Sequence, residues 1–95
     1  MGVIRSFGSK ATERLWRRER VPSVDPQILS VALRKLRQVG SAESIDDLRL
    51  PPGNRLEALK SDRAGQYSIR VNDQWRICFV WTDAGPEEVE IVDYH

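Results

Sequence analysis

The stretch that decides the fold is Tyr67-Ser-Ile-Arg-Val-Asn-Asp-Gln-Trp-Arg-Ile-Cys-Phe-Val-Trp81. Tyr67, Ile69 and Val71 alternate with Ser68 and Arg70, and Trp75, Ile77, Phe79 and Trp81 alternate with Arg76, Cys78 and Val80. A period of two marks strands with one buried face. Asn72-Asp73-Gln74 supplies the turn between them. A two-residue loop would pair Ile69 with Arg76 and mix apolar and charged groups on one face. A three-residue loop, Asn72 to Gln74, pairs Val71 with Trp75, Ile69 with Ile77 and Tyr67 with Phe79. Burial selects the second register, because a slip of one residue turns every side chain to the opposite face. The same register sets Arg70 opposite Arg76 on the second face. Like charges directly opposed repel. They become useful when an anion lies between them; otherwise they splay into solvent or pair with Glu88, Glu90 or Asp93.

Working outward, residues 83–86 form a turn and residues 87–93 a last strand. Residues 55–60 are a short strand candidate, followed by a turn over 61–65. Pro51-Pro52-Gly53-Asn54 is a hard loop, and residues 41–50 hold a helical turn. Upstream the period changes. Ser9 caps a helix over 10–20 that Pro22 closes, with Ala11, Leu15 and Trp16 on one face. Asp25-Pro26 starts a second helix. Ile28, Leu29, Ala32, Leu36 and Val39 form its apolar seam, Arg34, Lys35, Arg37 and Gln38 take the other face, and Gly40 stops it. Residues 3–7 read as a weak strand. The order predicts an α+β fold: an N-terminal strand and a helical hairpin packed on a mainly antiparallel sheet of four to five strands, in one domain over 1–95.

Composition narrows the function classes. The chain has 95 residues, 40% hydrophobic and 31% charged, which suits a folded soluble domain and not a disordered one. No apolar run reaches the roughly 18 residues of a membrane helix, and no secretory apolar core opens the chain. Cys78 is the single cysteine and His95 the single histidine. Neither an internal disulfide, a cysteine-rich metal site nor a multi-histidine centre can be built from them, so the expectation is no metal and no cofactor. A reducing cytoplasm fits. Residues 1–40 carry nine Lys/Arg against three Asp/Glu, and residues 41–95 carry six against eleven. A basic half points to an anionic partner, nucleic acid first, or to a solvated helix face.

The chain ends Asp93-Tyr94-His95, three groups able to move or orient protons. Histidine is the one side chain whose unperturbed pKa lies near neutrality. Lys60, Arg63, Arg70 and Arg76 are the cations available nearby.

The run Arg55-Leu-Glu-Ala-Leu-Lys-Ser-Asp-Arg-Ala-Gly-Gln-Tyr-Ser-Ile-Arg-Val-Asn-Asp-Gln-Trp-Arg-Ile-Cys-Phe, with the terminal Val92-Asp-Tyr-His, resembles the HigB toxins of the RelE/ParE superfamily. The opening Ile4-Arg-Ser-Phe resembles the start of that family, so the likeness spans nearly the whole chain. Pro51-Pro-Gly-Asn-Arg-Leu-Glu and Val71-Asn-Asp-Gln-Trp-Arg look closest to its GraT branch.

The resemblance implies a type II toxin–antitoxin toxin that enters the A site of the 70S ribosome and cuts messenger RNA there. Its implied partner is a cognate helix-turn-helix antitoxin, HigA-like or GraA-like. The free toxin is expected as a monomer, and the hetero-oligomer forms through the antitoxin. No membrane partner is implied. Metal-free RNA cleavage needs a base for the 2′-hydroxyl, cations for the phosphorane and an acid for the 5′-oxygen. By resemblance, Lys60, Asp93, Tyr94 and His95 match active-site positions. Lys60 and Arg76 take phosphate stabilisation and His95 proton transfer. Tyr94 stacks on a base or positions the sugar, and Asp93 orients His95 or Tyr94 or contacts the RNA. Arg63 and Arg70 are substrate-binding candidates, as planar bidentate donors. Many HigB proteins carry His-Pro where this chain has Glu57-Ala58, so Glu57 stands at the substrate in place of a second histidine. Two other readings compete: a ParE-like inhibitor of gyrase, and a silent relative that acts by binding. Lys60 with Asp93-Tyr94-His95 favours the nuclease.

Overall fold

A computed structural model describes residues 3–93. Helix α1 spans Lys10–Trp16 and α2 spans Leu29–Ser41. Strands β1 (Glu57–Ala58), β2 (Gln66–Arg70), β3 (Trp75–Thr82) and β4 (Gly85–Asp93) form one sheet in the order β1-β2-β3-β4, with every pair antiparallel. The predicted register holds: Ile69 pairs with Ile77, Tyr67 with Phe79 and Arg70 with Arg76. Val71 N–H donates to the Trp75 carbonyl at 2.9 Å, and Asn72 Oδ1 accepts from Gln74 and Trp75 N–H at 2.8 Å, which closes the three-residue loop.

The residues 3–7 expected as a strand reduce to one parallel bridge, Phe7 with Val89. Val89 N–H donates to the Ser6 carbonyl and Gly8 N–H to the Val89 carbonyl, while Arg5 N–H donates to the Pro86 carbonyl. The ladder stops there because Pro86 has no N–H to return. Glu88 breaks it again: it sits at φ 51 in an irregular stretch of the β3–β4 pairing, and its N–H turns to Ser6 Oγ. The close approach also explains a glycine. A Cβ on Gly85, at φ 122, would lie 2.9 Å from the Val3 carbonyl oxygen.

Ser9 caps α1 as expected, its Oγ accepting from Thr12 N–H at 3.2 Å. The helix ends four residues earlier than predicted, and Pro22 does not close it. Arg18 adopts φ 64, its N–H donates to the Leu15 carbonyl, and Glu19 N–H donates to the Arg14 carbonyl. These two bonds are a Schellman stop. They release Val21 and Val24 into the core, where a continued helix would have carried them away. Asp25 caps the next turn through Gln27 N–H, but Pro26–Ile28 is a 3-10 turn that leads into α2. Gly40 does not stop α2, which runs one residue further. A Cβ there would meet Ile4 Cγ1 at 3.3 Å and Trp16 at 3.4 Å, so glycine marks a packing contact.

One buried cluster joins Leu15 of α1, Ala32, Leu36 and Val39 of α2, Leu48, and Ile69, Ile77, Phe79 and Val89 of the sheet. Helices therefore cover one sheet face. Leu29, Trp16, Trp75 and Trp81 are half-buried around it. Thr12 stitches α1 to the sheet, its buried Oγ1 accepting from Ile91 N–H at 3.0 Å. Lys35 corrects the reading of α2. It is 8% exposed, and its Nζ donates to Oδ1 of Asn54, itself wholly buried. Asn54 Nδ2 in turn donates to the Leu48 and Leu50 carbonyls, at 3.2 Å each. Burial lowers the Lys35 pKa, and Arg34 and Arg70 add to the effect.

Candidate active site

Residues that alternate with the core positions line the opposite sheet face. The ladder sets Glu57 of β1, Ser68 of β2, Cys78 of β3 and Glu90 of β4 in one row. Arg70, Arg76 and Val92 make the next row. Ser68 and Cys78 are fully buried here although helices cover the other face, because long charged side chains lie over them. Burial pushes the Cys78 thiol pKa up; Arg63 and Arg76 oppose this, while Glu90 and Glu57 reinforce it. All four charges lie close enough to act on that thiol.

The paired arginines resolve their repulsion separately. Arg70 ion-pairs with Asp73 in the turn. Arg76 donates from Nε to Ser68 Oγ at 2.8 Å and from Nη2 to the Arg55 carbonyl at 2.8 Å, with the Ser68 carbonyl 3.5 Å away. Arg63 closes the 3-10 turn Ser61–Arg63 and reaches across the sheet. Its Nη1 donates at 3.0 Å to both Gln66 Oε1 and Glu90 Oε1.

Lys60 and Glu57 stand at the β1 edge. Both are exposed, and neither side chain makes a hydrogen bond or ion pair among the described residues, although the Lys60 carbonyl accepts from Arg63 N–H at 3.2 Å. A shallow cavity of about 600 Å³ is lined by Glu57, Ala58, Leu59, Lys60 and Ser61. Asp93 pairs with Trp75, which puts it on the alternation of the core face, and its Oδ2 accepts from Gln74 Nε2 at 3.0 Å. The fold thus gathers Glu57, Arg63, Arg70 and Arg76 on one face, with Lys60 at its edge and Asp93 at the turn end. Tyr94 and His95 lie outside the described residues.

Sequence reasoning missed four contributors: Ser68, Asn54, the Arg55 carbonyl and Glu90 as the partner of Arg63. Ser68 carried a readable signal, since a small polar residue opposite Cys78 leaves room for a long neighbour. The Arg55 carbonyl carried none, because its direction depends on a left-handed backbone, φ 46, after the turn Pro52–Asn54. No group of three His, Cys, Asp or Glu side chains among the described residues has metal-site geometry. Among the described residues no helix is long and apolar enough to cross a membrane.

Known proteins resemble this chain along most of its length. The family described as the RelE-like toxin of the type II toxin-antitoxin system HigB matches residues 5–95. Toxin HigB-1 of Vibrio cholerae is 40% identical over 78 residues, 81% of this chain and 82% of that protein. Endoribonuclease HigB of Proteus vulgaris is 29% identical over 93 residues, 98% of this chain and all of that protein. An uncharacterized protein of Haemophilus influenzae is 42% identical over 60 residues, 63% of this chain and 56% of that protein.

Proposed function

The chain belongs to the HigB family of RelE-like toxins of type II toxin–antitoxin systems, and from that premise we propose that it is a metal-independent endoribonuclease that cuts messenger RNA in the ribosomal A site. The observation that carries the reading is the arginine face. Arg70 and Arg76 are directly opposed on the sheet face away from the helices, and Arg63 reaches Glu90 in the neighbouring row. Such a face meets a phosphodiester with planar bidentate donors. The Proteus vulgaris relative bears the name of an endoribonuclease, which supports the same chemistry here.

In this reading the RNA 2′-hydroxyl attacks the adjacent phosphorus and the 5′-oxygen leaves, giving a cyclic phosphate. Arg76 and Lys60 stabilise the phosphorane charge. Arg63 and Arg70 hold flanking phosphates, exchanging Glu90 and Asp73 for RNA. His95 transfers the proton, with Asp93 orienting the tail and Tyr94 stacking on a base or holding the sugar. Glu57 faces the substrate where many relatives carry histidine, and its carboxylate opposes a bound phosphate. That keeps a second reading, a weak or silent relative that acts by binding. A HigA- or GraA-like antitoxin neutralises the toxin in the cytoplasm. The whole chain acts as one domain, monomeric when free and hetero-oligomeric with that antitoxin.

Primer extension on a translated message, with and without ribosomes, tests the reading. Wild-type cuts that require ribosomes and vanish when His95 is deleted are expected. Ribosome-dependent cuts that survive the deletion move the chemistry to Glu57, Lys60 and Tyr94. Ribosome binding without any cut favours the silent relative, and Glu57→His is then the variant that should restore cleavage.

A further inference from the structure

We infer that Ser68 is a positioning residue, one that aims the Arg76 guanidinium at the scissile phosphate. The inference rests on the nuclease reading above and names a residue that the reading does not use.

Three observations support it. Ser68 is fully buried, so its hydroxyl serves the protein and not the solvent. That hydroxyl accepts from Arg76 Nε at 2.8 Å, while Nη2 is taken by the Arg55 carbonyl at 2.8 Å. Nε and Nη2 form one edge of the guanidinium. Fixing both sets the plane of the group and the direction in which Nη1 projects.

The second anchor is itself built in. Arg55 follows the turn Pro52–Asn54 in a left-handed conformation, and Asn54 is tied to Lys35 of α2 and to the Leu48 and Leu50 carbonyls. Both acceptors thus belong to rigid parts of the fold, one in a central strand and one locked to a helix. An arginine side chain otherwise samples many rotamers. A cation held before the reaction stabilises developing charge with no reorganisation.

A double-mutant cycle tests this on full-length protein with programmed ribosomes. Ser68→Ala should lower single-turnover cleavage roughly tenfold to a hundredfold, the factor for losing a hydrogen bond from a charged donor. The ribosome concentration for half-maximal rate should change by less than about twofold, because Ser68 acts on the chemical step. In an Arg76→Ala background the same substitution should cost nothing more, because its effect passes through Arg76. Ser68→Cys, kept reduced because Cys78 lies directly opposite, fills the site with a somewhat larger atom and offers only a weak acceptor, so it should also slow cleavage if the alanine variant folds poorly. Cys78→Ala removes a buried neighbour in the same row that makes no hydrogen bond to Arg76, and should cut at close to the wild-type rate. Ser68 variants that cut normally, or that lose equal factors with and without Arg76, overturn the inference and leave the nuclease reading intact. A wild-type protein that makes no ribosome-dependent cut overturns that reading, and this inference with it.

Discussion

On the helix-covered face of the sheet, Ile69 lies opposite Ile77 and Tyr67 opposite Phe79; on the other face, Arg70 lies opposite Arg76 and Ser68 opposite Cys78. The two sets share the same strands and the same register. The first pairs attract without direction, so any apolar side chains of suitable size hold the register. The second pairs repel or ignore one another, and each charge must find its own partner. Arg70 takes Asp73, Arg63 takes Glu90, and Arg76 takes a serine hydroxyl and a backbone carbonyl. One face therefore stabilises the fold, and the stability it supplies holds the charged groups of the other face in place.

Substitutions should separate the two faces. The largest expected effect on stability is Phe79→Ala. Phe79 is wholly buried on the apolar face, and its loss should cost about 3–5 kcal/mol in urea unfolding. A variant that unfolds like wild type would break the comparison at its base. Arg76→Ala should do the reverse. Ribosome-dependent cleavage should fall by at least about a hundredfold, while the urea midpoint moves far less than in the phenylalanine variant.

Lys35 tests whether the helix-side polar lock belongs with the fold or with the site. Lys35→Met strands the buried Asn54 Oδ1 and should cost about 1–3 kcal/mol in the same unfolding assay. Glu57→Gln removes a carboxylate from the proposed substrate face. It should tighten RNA-programmed ribosome binding about two- to fivefold at low salt, an advantage that fades as salt screens it.

Cys78 gives the smallest effect. Burial raises its pKa, so the native thiol keeps its proton above the ordinary value of 9.0 while the unfolded thiol loses it. Its contribution to stability is therefore complete below about pH 9 and declines as pH rises toward the native pKa. Lys35 runs oppositely, since its lowered pKa makes the cost of a buried charge disappear as pH rises through that value. Cys78→Ala should flatten the alkaline decline that belongs to the thiol. An unchanged slope above about pH 9 would remove the thiol from the balance.

Much of the fold was legible because period and burial act on every residue of a strand. The three-residue loop, the register and the Arg70–Arg76 opposition all follow from one run of fifteen residues. Helix starts were legible through Ser9 and Asp25, whose side chains bond the first turns. Helix ends were not. Arg18 carries no mark of a left-handed stop, and Gly40 looked like a stop but serves a contact with Ile4 and Trp16. Lysine usually lies in solvent, which hides the place of Lys35, although its spacing from Ala32 and Val39 sets it on the buried side.

The candidate site was legible as a set of residue types and not as a network. Sequence alone determined the alternation that puts Arg70 and Arg76 on one face, because side-chain direction in a strand is a local property of the backbone. It also determined the apolar seam that sets the helices on the other face. Only the tertiary structure decided which partner each arginine takes. The Arg55 carbonyl, Glu90 and Asn54 reach their partners through contacts 21, 27 and 19 residues apart in the chain. Hydrogen bonds need distance and direction together, and neither exists until the chain has closed on itself.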